Sequence, residues 1–120
     1  MAKILSVDDS KVIREMVKAV LSAEGHEVTT ANDGVEGLEA ARNNQFDLIL
    51  TDINMPNMNG ISLVSKLRRM PAYLHTPIVM ITTDNSDYKK SKSKTMGATG
   101  WLQKPFDPAR LIQATKKLLG

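Results

Sequence analysis

A chain of 120 residues with 42% hydrophobic and 24% charged side chains is long enough for one packed domain hiding roughly two thirds of its unfolded surface; this composition excludes disorder, collagen-like repeats and a disulfide scaffold. Without cysteine there is no disulfide, no thiolate zinc site and no thiol nucleophile, so any metal must be held by oxygen or histidine. The net charge of +3 is mildly basic, and Lys89, Lys90, Lys92 and Lys94 fall within six positions, a run that ordinarily marks a solvated helix face and can also steer an acidic partner or nucleic acid.

The opening MAKILSVDD holds an apolar run too short for a secretory leader, and no later run approaches a membrane span, so a cytoplasmic protein is expected. Residues 4–7, 48–50 and, directly after Pro77, 78–81 are short runs rich in Ile, Leu and Val without alternation, as suits parallel strands covered on both faces. Between the first two, Val12, Ile13, Met16, Val17, Val20 and Leu21 recur at helical spacing, which predicts a helix buried along one stripe. Ser10 is its expected N-cap and Gly25 its stop. An edge strand over 26–30, a helix over 34–43 and a helix over 60–70 ended by Pro71 come next. A lysine-rich helix from about 85 to 96, a strand over 99–102 and a last helix, capped by Asp107 with Pro108 at its first position, complete the series. Five strands alternating with five helices predict an α/β fold, a parallel sheet with helices on both faces and right-handed crossovers. No repeat, low-complexity tract or linker interrupts it, so residues 1–120 are expected to form one domain with no output domain.

In open α/β sheets ligands bind beyond the carboxyl ends of the strands. The residues found there are Asp8 and Asp9 after the first strand, Asp52 after the third, Thr82 and Thr83 after the fourth, and Lys104 before Pro105 after the fifth. Each has an ordinary explanation alone: Asp9 as a helix cap, Asp52 as a turn former, Lys104 as a surface residue. Independent turn formers have no reason to be sorted onto one edge, however. Three clustered carboxylates repel unless a cation intervenes, and an all-oxygen set suits a hard cation such as Mg2+. A carboxylate beside such a site points to phosphoryl transfer through an aspartyl phosphate, with a hydroxyl and an ammonium holding the remaining phosphoryl oxygens.

The segments VDDS at 7–10, DLILTDINMPNMNG at 47–60, ITTD at 81–84 and WLQKPF at 101–106, with Thr82 and Lys104 at 30 and 52 positions after Asp52, resemble the response-regulator receiver domain, and within it the stand-alone chemotaxis regulators. The resemblance spans essentially the whole chain. It implies a flavodoxin-like fold with strand order 2-1-3-4-5 and a signalling protein of a two-component phosphorelay rather than an enzyme, though one able to phosphorylate itself from small phosphodonors and to dephosphorylate itself. By the same resemblance Asp52 is the phosphoacceptor for a histidine kinase; Asp8, Asp9, Asp52 and the backbone carbonyl of Asn54 hold Mg2+; Thr82 and Lys104 contact the phosphoryl group. The Lys104–Pro105 bond is expected to be cis, and Thr82 with Trp101 to form the switch that remodels the surface of the fourth helix, fifth strand and fifth helix. Asn54 and Asp84 are expected to tune the phosphoryl lifetime. The implied partners are the kinase, an effector such as a flagellar motor switch protein and a phosphatase, with no nucleic acid and no membrane, and the chain itself a monomer.

Departures from the family pattern are Trp101 where Tyr or Phe is commoner, Asp84 where Glu is frequent, a more basic fourth helix, and Ala114 where well-studied chemotaxis members carry a partner-contacting lysine. They leave open a phosphate sink or relay intermediate that binds no motor. A hydrolase of the haloacid dehalogenase type would need a general acid two residues after its nucleophile, where Asn54 stands. Nucleic-acid binding through the lysine run lacks an interleaved aromatic platform. The methionines, among them Met55, Met58, Met70, Met80 and Met96, read as packing residues, and His26 and His75 share no ligand spacing.

Overall fold

The computed structural model describes residues 1–83 and 86–120. The elements run β1 (Lys3–Val7), α1 (Lys11–Ala23), β2 (Glu27–Ala31), α2 (Gly34–Asn43), β3 (Leu48–Thr51), α3 (Gly60–Leu67), a 3-10 turn at Pro71–Tyr73, β4 (Ile78–Thr82), α4 (Asp87–Met96), β5 (Gly100–Gln103) and α5 (Pro108–Leu119). All four strand pairings are parallel and the sheet order is β2-β1-β3-β4-β5, the expected flavodoxin-like arrangement.

The apolar strand runs lack alternation because both faces are covered, yet the period of two still sorts their side chains. Leu5, Val7, Ile49 and Met80 point to a core shared with Leu38, Leu63, Leu67 and Tyr73, while Ile4, Leu48, Leu50, Val79 and Ile81 meet Val17, Leu21 and Leu111 on the other side. Each fully buried Leu or Ile contributes about 1.5–3 kcal/mol, so the two cores together fix the register. That register matters for function: Val7 pairs with both Ala31 and Thr51, so β1 and β3 end side by side and the next residues, Asp8 and Asp52, emerge together. The Asp52 N–H donates to the Val7 carbonyl at 2.9 Å and the Asp8 N–H to Ala31 at 3.1 Å, extending the ladder to the site itself.

The caps at Ser10, Asp33, Asn59 and Asp107 each accept a bond from a backbone N–H three residues on, and Gly25, just past α1, has φ +90°. Several element ends shift by one to three residues from the sequence expectation, and four of these shifts have a visible cause. Helix α3 stops at Leu67 rather than residue 70: the Arg69 and Met70 N–H groups bond only three residues back, to Lys66 and Leu67, tightening the last turn. The Arg68 guanidinium donates to the carbonyls of Tyr73, Thr76 and Gly97 at 2.6–3.0 Å, joining the α3 exit to the segment before β4 and to the end of α4. Helix α4 begins at Asp87, because Ser86 serves as its cap and accepts from the Lys89 N–H. Strand β2 begins after His26, whose Nδ1 accepts from the Ala2 N–H at 3.1 Å. Strand β5 begins after Thr99, whose hydroxyl, rather than a carbonyl, accepts from the Ile78 N–H. Met80 is fully buried, and Met55, Met58, Met70 and Met96 pack on the first core. Among the described residues no helix is long and apolar enough to cross a membrane.

Candidate functional site

The residues directly following the strand ends set the site. Asp8 and Asp52 are 2% and 7% exposed, Asp9 is exposed, and each of the three offers a carboxylate oxygen within 4.8 Å of the others. The Asp8 Oδ1 accepts from the Ser10 N–H at 2.9 Å, and the Asp52 Oδ1 from the Ile53 N–H at 2.8 Å. Their other oxygens face Lys104, whose Nζ donates to the Asp8 Oδ2 at 2.7 Å and to the Asp52 Oδ2 at 3.4 Å. Lys104 reaches inward from the chain after β5: its N–H donates to the Thr82 carbonyl at 2.9 Å and its peptide bond to Pro105 is cis.

Three carboxylates and one ammonium leave two negative charges on the rim. Burial pushes the Asp52 carboxyl above the usual carboxylate range; Lys104 pulls it back, Asp8 pushes it up again, and the Ile53 N–H favours the charged form. An all-oxygen set with a double negative excess, one ligand open to solvent and two held by backbone N–H groups, fits a divalent hard cation.

Thr82 ends β4, fully buried at the same edge. Asn54 follows Asp52 in an exposed loop, its Oδ1 3.5 Å from the Lys89 Nζ of α4. Asp84 lies outside the described residues. Trp101 sits on β5, half-buried. Its indole N–H is buried with no acceptor among the described residues. The ring borders a cavity of about 300 Å³ with Lys90, Lys94 and Ala98, and the Lys90 ammonium stands 5.6 Å from its centroid.

Three supports were not anticipated from sequence. Arg14 of α1 donates to the Asp8 carbonyl at 2.9 Å. Lys89 reaches Asn54 across 35 positions. Gly60 opens α3 because its α-carbon lies against the Asp52 carbonyl, where a Cβ would overlap; its N–H also donates to the Ile53 carbonyl at 2.8 Å. Of these only Gly60 left a trace, a poor helix former placed at a helix start.

Comparison with known proteins is consistent in kind. A chemotaxis protein CheY homolog of Campylobacter jejuni is 36% identical over 120 residues, 98% of this chain and 92% of its own. The probable transcriptional regulator ycf29 of Pyropia yezoensis is 34% identical over 98% of this chain, which spans 53% of that relative's length. Among solved structures, the chemotaxis protein CheY4 of Vibrio cholerae superposes with a TM-score of 0.96 at 48% identity, covering 99% of each chain. The family pattern described as the response regulator receiver domain matches residues 4–116, and with the sheet order and rim described above, the chain belongs to these receiver domains of two-component signalling.

Proposed function

We propose that this protein is a phosphorylation-activated switch in which Asp52 accepts a phosphoryl group from a histidine kinase. The observation that carries the reading is the Lys104 ammonium shared between Asp8 and Asp52 at the sheet edge. An oxygen of the Asp52 carboxylate attacks phosphorus as the bond to the donor's imidazole nitrogen breaks, leaving an acyl phosphate on Asp52 and the electron pair on the departing imidazole. Lys104 then offers its charge to a phosphoryl oxygen, and the Thr82 hydroxyl donates to another. Asp8, Asp9, Asp52 and the Asn54 carbonyl are the residues that would hold Mg2+. When bound, the ion supplies positive charge against the phosphoryl oxygens.

The output follows from the same edge. Drawing Thr82 toward the phosphoryl group frees space for Trp101 to turn inward and remodels the α4–β5–α5 surface for an effector. The likeness to chemotaxis proteins supports a flagellar motor switch protein as that effector and the cytoplasm as the setting. The basic α4 and Ala114 favour a second reading, a phosphate sink that gains no partner on activation. Incubation with acetyl phosphate and Mg2+, followed by intact mass, tests the chemistry: one phosphoryl adduct is expected, absent in Asp52→Asn and without Mg2+. An adduct that persists in Asp52→Asn refutes the assignment. Pull-down on motor switch protein with and without beryllofluoride separates switch from sink, since only the switch gains affinity.

A further inference from the structure

We propose that the groove between α3 and α4 docks an acidic segment of a partner protein in which an apolar side chain is flanked by carboxylates. The groove encloses about 230 Å³ and is lined by Ile61, Ser65, Lys66 and Arg69 on the α3 side and by Lys92 and Met96 of α4. Among the described residues it is lined by three cationic side chains and no carboxylate, and none of the three enters an ion pair there. Like charges gathered without counter-charge form a field complementary to an anion.

Two features narrow the anion to a protein segment. Ile61 and Met96 are half-buried, packed on the core from one side and bordering the groove from the other. Their exposed apolar surface suits a side-chain anchor, and methionine adapts its shape to one. No aromatic ring lines the groove, so nucleic-acid bases find no stacking platform there. This surface is separate from the one beside Trp101, which Lys90 and Lys94 border, and its charge does not depend on the reading of Asp52.

The test titrates the full chain with a synthetic peptide of Asp and Glu around a central Leu, followed by backbone amide shifts. Expected are shifts confined to residues 61–69 and 92–96. Affinity should fall at least about tenfold in the double variant Lys66→Glu, Lys92→Glu and stay within about twofold in Lys18→Glu, Lys117→Glu. Both pairs lie at exposed positions and take the net charge from +3 to −1, each substitution changing it by two. Absent shifts, shifts spread over α1 and α5, or equal weakening in both variants overturn the proposal, as does tighter binding of single-stranded DNA or phosphatidylserine vesicles at the same residues.

Discussion

At the β1–β3 edge, Asp8 and Asp52 are each held by a backbone N–H and by Lys104, and the close approach of Gly60 pins the chain against the Asp52 carbonyl. On the α4–β5 flank the Trp101 N–H has no acceptor among the described residues and the ring borders a cavity, and of α4 only Ser93 is buried. One region is over-determined and the other is held by few apolar contacts. Local opening free energies follow such differences, so the edge is expected to open less readily than the flank. The proposed switch needs both.

The contrast can be broken most forcefully at Gly60. In Gly60→Ala the new Cβ overlaps the Asp52 carbonyl and meets the Met80 methyl at 3.0 Å, so backbone must move. We expect a loss of about 3 kcal/mol in urea unfolding, with the acetyl phosphate adduct strongly reduced. Arg68→Ala removes the guanidinium from the carbonyls of Tyr73, Thr76 and Gly97. It should lower stability by about 2 kcal/mol while the adduct on Asp52 still forms, showing that the α3 exit supports the fold rather than the chemistry.

Asp52→Asn sharpens the electrostatic side. The Asp52 carboxyl lies above its ordinary 3.8 in the fold. Between that value and the raised one, the unfolded chain releases its proton first, so stability falls as pH rises through this window and the deficit persists at neutrality. Metal-free Asp52→Asn is therefore expected to melt higher than the wild type at pH 7, the gain vanishing below about pH 3.8; thermal melts across pH check it. The smallest effect is expected at Trp101→Phe. Lost apolar area is offset by removal of an N–H that has no acceptor among the described residues, so stability should stay within about 1 kcal/mol by denaturant titration.

What could be read in the sequence was whatever is local or periodic. The unalternating strands declared a sheet covered on both faces, Ser10 and Asp107 announced their helices, and the acidic residues after the first and third strands marked the rim. The rest depends on contacts distant in sequence. The α3 exit is set by Arg68 reaching Gly97, 29 positions on, which no helical periodicity encodes. Lys89 near Asn54 and the buried Trp101 N–H arise only when α4 and β5 are laid against the sheet. The start of α4 is hard to place from sequence because its lysines carry almost no apolar stripe: the expected start near residue 85 lies outside the described residues, and the Ser86 hydroxyl caps the helix.

Trp101 is the sole tryptophan of the chain, with its N–H buried without an acceptor among the described residues and an ammonium above its ring. The protein thus carries its own optical gauge: the ultraviolet emission of one chromophore reads how water and charge are arranged on this flank. Donors, metal ions and partners can be titrated in real time without attaching a dye.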